Sequence, residues 1–221
     1  MTPFSLRKKR ILLVSHELDT LFPTVKTALD YHTPFELLVA VILSAQCTDA
    51  RVNIVTKTLF QKYKTVEDYM NANPRQFEQD IFSTGFYRSK AKHILASARI
   101  VHTQFYDQIP RTMSEIMTLP GVARKTANVV LSELFDIREG IAVDTHVKRL
   151  TQKYGLTDQK TPEKIEQDLM KVLPKDKWRR FGLQLVEYGR QYCPAIKHDH
   201  ENCPLNVVLK ELQRGPGVKS Q

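Results

Sequence analysis

A chain of 221 residues, 42% of them hydrophobic, is long enough to bury a sizeable core as one large domain or two small ones. Its 33 Lys and Arg outnumber 24 Asp and Glu, for a formal charge of +9, and the basic residues are spread along the chain rather than gathered in one tail. That balance favours a polyanionic partner such as nucleic acid. Three cysteines, an odd number, argue against a disulfide framework and for a reducing compartment, and no apolar run approaches the roughly 18 residues of a membrane span.

The first ten residues are basic (Arg7, Lys8, Lys9, Arg10), but the apolar run that follows is only Ile11 to Val14, too short for a signal peptide. Leu6 to Leu21 has a helical pattern, with Pro23 as its stop. Thr33-Pro34 resembles an N-cap with proline in the first turn. Phe35, Leu37, Leu38, Ala40, Val41, Ile42 and Leu43 then describe a helix apolar on nearly every side, hence buried. It ends abruptly in the polar run Ser44-Ala45-Gln46-Cys47-Thr48-Asp49, which reads first as capping groups and second as a site at the mouth of a core. Asp49 or a neighbour opens the next helix, Thr65 with Asp68 resembles a capping box, and Asn73-Pro74 opens another.

Strand signals are nearly absent, and the expected fold is all-α. Gly85-Phe86-Tyr87-Arg88-Ser89-Lys90-Ala91-Lys92 combines a glycine, two aromatics and three basic residues, a composition suited to holding a nucleic-acid backbone and pressing a ring against bases; the bland reading is a turn whose aromatics pack inward. Thr112 with Glu115 caps a helix running into Leu119-Pro120-Gly121-Val122-Ala123-Arg124-Lys125-Thr126-Ala127. There a tight turn interrupts a helical pattern that then resumes, so the form is helix, turn, helix. Such a turn aims the free N–H groups of the second helix outward, where they and the helix dipole suit a phosphate. Ala123 stands where a second glycine is common in such hairpins, so its backbone is expected to be helical, with phosphate approach resting on Gly121 and the N–H groups of Val122 to Lys125.

Farther on, Asp144 of Asp144-Thr145-His146 is a natural N-cap. Thr161-Pro162 opens a helix with Ile165, Leu169, Val172 and Leu173 on one face, and Trp178, Phe181, Leu185 and Tyr188 read as core rather than as stacking residues. Arg214 to Gln221 reads as a disordered tail.

Five blocks in order resemble the endonuclease III family of DNA glycosylase/AP lyases, in the helix-hairpin-helix glycosylase superfamily. They are Pro34 to Leu38 leading to Leu43 through Asp49, Gly85-Phe86-Tyr87 with Ser89-Lys90-Ala91, Leu119 to Val130, and Ala142-Val143-Asp144-Thr145-His146. The resemblance implies two helical lobes with a DNA-binding cleft between them: residues 25–138 as a six-helix domain containing the hairpin, and residues 1–24 plus 139–221 as the second. It implies Lys125 as the nucleophile and Asp144 as the catalytic carboxylate. Gln46 matches the glutamine that fills the gap left by an extruded nucleotide. Phe86 stands where a leucine usually wedges into the base stack, which enlarges the wedge and puts opposite-base preference in question. Arg88, Lys90, Gly121, Val122, Ala123, Arg124 and His146 complete the expected DNA contacts.

The implied function is bifunctional: removal of oxidised pyrimidines through a lysine Schiff base, then strand cleavage by β-elimination. Attack at the sugar requires an unprotonated amine, which a helix N-terminus and partial desolvation both favour. The expected partner is double-stranded DNA carrying damaged pyrimidines or AP sites, bound by a monomer with no membrane association, at the nucleoid in a bacterial or archaeal cytoplasm or in a eukaryotic nucleus or organelle. The rivals are a glycosylase for another base, such as mispaired thymine or 8-oxoguanine, and a non-catalytic DNA-binding module. Adenine-mismatch glycosylases of the superfamily lack the hairpin lysine, which makes that activity the less expected one.

Family members often hold a [4Fe-4S] cluster on cysteines separated by six, two and five residues, and stepping that spacing from Cys193 lands on His200, Cys203 and Leu209. Two of the four thiolates are present, so the cluster is expected to be absent and the loop to be held by packing, without a metal. Zinc on Cys193, His200 and Cys203, with or without His198, is the alternative that sulfur and imidazole allow.

Overall fold

The structure, a computed structural model, describes residues 3–214, so most of the tail that begins at Arg214 lies outside the described residues. Every regular element among the described residues is helical, and none of these helices is long and apolar enough to cross a membrane. The chain divides into two compact units, one continuous (Thr27–Glu139) and one discontinuous (Met1–Lys26 with Gly140–Gln221).

The discontinuous unit contains the first helix, α1 (Pro3–Leu21). The continuous unit holds α2 (Pro34–Leu43), α3 (Asp49–Lys62), α4 (Val66–Met70), α5 (Pro74–Asp80), α6 (Tyr87–Phe105), α7 (Met113–Ile116) and α8 (Arg124–Phe135). These are seven helices among the described residues, and the short ones after Thr65 and Thr112 each have a side-chain cap of their own. The local signals decide where the helices begin. Thr33 accepts the Glu36 N–H while the Glu36 carboxylate accepts the Thr33 N–H, the reciprocal pair of a capping box, and Thr65 with Asp68 repeats it. Asn73 and Thr112 cap α5 and α7 in one direction, accepting the N–H groups of Gln76 and Glu115.

Every residue of α2 from Phe35 to Leu43 is buried. A ten-residue helix enclosed on all sides has no polar face to orient it, so its surroundings must. They are α3, α6 and α8, and an edge-to-face aromatic cluster that begins at Phe35 and Tyr69, with ring centroids 5.1 Å apart.

The discontinuous unit is completed by α9 (Thr145–Lys153), α10 (Pro162–Met170), α11 (Trp178–Gln191) and α12 (Pro204–Arg214). α1 contributes Ile11, Val14 and Leu18, fully buried at helical spacing, and packs on α11 and α12. Leu18 O accepts the Phe22 N–H at 2.9 Å, and α11 adds donors at this end: Gln184 Nε2 donates to Leu18 O (3.2 Å) and Phe22 O (3.0 Å), and Arg180 donates to Pro23 O (2.9 Å). Asp19 is gripped by the same face, accepting from Lys177 Nζ at 2.8 Å and Gln184 Nε2 at 3.0 Å.

Candidate nucleic-acid interface and metal centre

In the continuous unit the candidate contacts are arranged along α6. Phe86 is its N-cap residue, 66% exposed and left-handed at φ 49°. Gln46, in the loop after α2, is also exposed and left-handed at φ 53°. Each such conformation costs a non-glycine residue about 1–3 kcal/mol, and such outliers cluster at functional sites. The polar run after α2 therefore divides: Ser44 Oγ donates to Val41 O (2.9 Å) and Thr48 caps α3, while Gln46 caps nothing.

Lys90 corrects the sequence reading. It was expected to hold a nucleic-acid backbone, yet it is only 4% exposed, and its Nζ donates to Leu43 O and Thr84 O, each at 2.8 Å. Burial pulls its pKa below the ordinary lysine range. The physical reason is the pair of carbonyls: α2 ends, and the 3-10 turn Phe82–Thr84 ends, in a place water does not reach, and a buried ammonium satisfies both. Leu43 lies three residues before Gln46 and Thr84 two before Phe86, so Lys90 ties together the roots of the two strained, exposed segments. Arg88, by contrast, is exposed, with its guanidinium 5.3 Å from the Tyr87 ring centroid and its Nε 4.0 Å from Glu78 Oε2. Tyr87 rests on Phe82 with centroids 4.8 Å apart, so of the two aromatics in this stretch the first points out and the second packs.

The same helix seats the hairpin. Ser97 Oγ donates to Pro120 O at 2.9 Å. Gly121 has φ +81°, and a Cβ there would come within 2.9 Å of His93 Cβ, so both the backbone angle and the close approach require glycine. Two expectations for the hairpin change. Val122 is in the core at 6% exposure and its N–H is spent on Leu119 O (3.1 Å), so neither its side chain nor its amide is open to a phosphate. Ala123 is extended (φ −86°, ψ 170°) rather than helical, because it is the N-cap of α8 and an N-cap residue precedes the helical angles. An alanine has no side-chain acceptor, so the first turn of α8 lacks the side-chain cap that α2 to α5 have. Lys125 stands in that turn and is exposed, with Arg124 beside it donating to Glu139 O at 3.3 Å. Solvent reaches Lys125, so the fold itself does not provide the desolvation expected for it.

In the discontinuous unit Asp144 is the N-cap of α9, where its Oδ1 accepts the Val147 N–H at 2.9 Å. Its side chain is half-buried and held in one direction by that bond. His146 is half-buried over Gly189, where an added Cβ would lie 2.6 Å from its Nδ1, and that nitrogen is buried without a partner.

The loop between α11 and α12 gathers Cys193, His198, His200 and Cys203, whose donor atoms all lie within 4.8 Å of one another. Burial raises the Cys193 thiol, but hydrogen bonding, that of Tyr154 foremost, outweighs it and holds its pKa below the usual thiol range. The [4Fe-4S] group that the resemblance implies does not fit this donor set. A cubane takes four thiolates, whereas two are present, His200 occupies the second position, and the fourth falls on Leu209, a core residue at 6% exposure. The expectation of a loop held by packing alone overlooked how closely the four donors converge; stepping through the spacing passes over His198.

Residues 39–175 match the HhH-GPD superfamily of base excision DNA repair proteins. The chain is 48% identical to an endonuclease III of Synechocystis sp. over 94% of its own length and 93% of the relative's. It is 42% identical to an endonuclease III of Bacillus subtilis over 95% of each. A solved structure of a trapped endonuclease III–DNA covalent intermediate is similar with a TM-score of 0.85 at 42% identity, covering 90% of this chain and 93% of that one. The chain belongs to the endonuclease III family within that superfamily.

Proposed function

We propose that this protein is a DNA glycosylase and AP lyase of base excision repair that removes oxidised or ring-saturated pyrimidines. The observation that carries the reading is Lys125, an amine in the uncapped first turn of a helix that follows a glycine hairpin. The open N–H groups of that turn suit a DNA phosphate, and a phosphate bound there sets the sugar beside Lys125. Gln46 and Phe86 take the space of the extruded nucleotide and offset the lost stacking, a cost of roughly a few kcal/mol. Exposed Lys125 loses its water when DNA covers it. The amine nitrogen attacks C1′ as the C1′–N bond to the base breaks, and the departing base takes that electron pair and a proton. Asp144, fixed by Val147, stabilises the positive charge that develops on the sugar and accepts the proton the amine must lose. The C1′–O4′ bond then breaks, with O4′ taking up a proton from water, to give the Schiff base, which acidifies the 2′ proton; its removal breaks the C3′–O bond and expels the 3′ phosphate by β-elimination.

Borohydride reduction of the Schiff base tests this. A covalent complex with a duplex containing one thymine glycol is expected for the wild type and none for Lys125→Ala, with excision slowed about a thousandfold or more. Trapping that persists in the variant overturns the assignment of Lys125, and wild-type binding without excision or trapping across a panel of single-lesion duplexes would make the protein a binding module. With Phe86 in place of the leucine wedge, the panel is expected to show an opposite-base preference that Phe86→Leu changes.

A further inference from the structure

We propose that Cys193, His198, His200 and Cys203 bind one zinc ion, which takes the structural place of an iron–sulfur cluster in the loop between α11 and α12. The geometry is that of a single ion. Zinc bonds of about 2.3 Å to sulfur and about 2.0 Å to nitrogen set tetrahedral ligand atoms roughly 3.3–3.8 Å apart. Here all four donors fall within 4.8 Å, and Cys193 Sγ lies 3.8 Å from His200 Nδ1. A cluster with several metal atoms needs its ligands farther apart than that.

The fourth ligand is oriented by the loop itself. His198 Nδ1 lies 2.9 Å from Ile196 O, a contact that requires the proton on Nδ1 and leaves a lone pair on Nε2. That Nε2 is buried and has no hydrogen-bond partner. A buried imidazole nitrogen that accepts nothing is costly, and a metal ion removes the cost. The carbonyl behind the ring is the outer support that metal-bound histidines commonly have. Arg149 provides a second support, donating to Cys193 O at 2.7 Å with its other nitrogen 3.9 Å from Cys193 Sγ. Cys203 Sγ lies 3.1 Å from Tyr192 O. On binding, each thiol releases its proton to solvent, and two thiolates with two neutral imidazoles leave a Zn²⁺ centre without net charge. Four protein ligands make the site closed, the mark of a structural rather than a catalytic zinc.

The full-length protein, produced without a histidine tag in medium containing both iron and zinc, is expected to carry about one zinc per chain and no iron–sulfur absorption. His198→Ala and Cys203→Ser are each expected to weaken zinc binding by about a hundredfold or more, while Cys47→Ser, outside the site, keeps the full complement. Because loss of a ligand can compromise folding, wild-type protein stripped under reducing conditions is also titrated with Co²⁺. The expected result is thiolate-to-cobalt charge transfer and tetrahedral d–d bands that saturate at one equivalent and are displaced by Zn²⁺. A bound iron–sulfur cluster, stripped protein that takes up neither ion, or His198→Ala retaining wild-type stoichiometry and affinity would overturn the proposal.

Discussion

α1 and α2 both close a core, and they are held by opposite means. α2 is enclosed in apolar contacts over its whole buried length, Phe35 to Leu43, with a long-range polar tie in the bond that Lys90 Nζ donates to its last carbonyl. α1 buries a stripe and is pinned at its end by polar side chains of α11, Gln184 and Arg180, and of Lys177 just before it, reaching Leu18, Phe22, Pro23 and Asp19. One unit therefore depends chiefly on volume, and the other adds a dependence on satisfied donors and acceptors. Substitutions that change volume and substitutions that remove a donor should separate them.

The largest effect is expected from Leu38→Ala, which empties a fully buried position in α2 and costs about 2–5 kcal/mol in denaturant unfolding; a loss below 1 kcal/mol would mean that this core collapses around the void. Lys90→Met keeps the stem and strands two buried carbonyls, for a loss of about 2–4 kcal/mol. Because Lys90 ties the roots of the Gln46 and Phe86 segments, the same variant should also bind lesion duplex more weakly, whereas Leu38→Ala at matched stability should not. Gln184→Leu, the counterpart in the discontinuous unit, is expected to cost about 1–3 kcal/mol, and a neutral outcome would remove the polar half of the contrast.

The smallest effect is in acid. Asp19 and Asp80 each occur in one unit, and in each burial raises the carboxyl while hydrogen bonds outweigh it: from Lys177 and Gln184 to Asp19, from Lys62, Gln76 and Tyr63 to Asp80. Both pKa values therefore lie below the ordinary 3.8. A carboxylate lowered in this way stabilises the fold above its unfolded pKa, and the contribution is lost as pH falls through the folded value. Asp19→Asn and Asp80→Asn should each be less stable than wild type near neutrality, with the gap closing below about pH 4. A gap unchanged down to pH 2 in either variant would contradict the assignment for that unit.

What could be read from the residues follows the range of the interactions. The caps at Thr33, Thr65, Asn73, Thr112 and Asp144 join atoms three residues apart, so the pattern that encodes them is local and complete. The enclosed helix is likewise written in its own composition. The burial of Lys90 is not legible locally, because its partner carbonyl at Leu43 is 47 positions away and nothing near a lysine in sequence announces that it will be buried. The conformation of Ala123 departs from the sequence expectation because a glycine comparison addresses what a residue tolerates, whereas the N-cap position decides what it adopts. His198 escaped the spacing argument because its place is set by where the loop turns, through the bond to Ile196 O.

The two ends of the described chain meet in one unit, since α1 packs on α12. A ribosome makes α1 first and α12 last. The continuous unit has its whole sequence once Glu139 emerges and can fold then, while Ile11, Val14 and Leu18 must wait for the remaining helices before their apolar stripe is covered. A chain stalled or clipped before Pro204 would therefore combine a finished hairpin unit with an exposed, aggregation-prone first helix, which gives protein quality control a specific surface by which to recognise incomplete molecules.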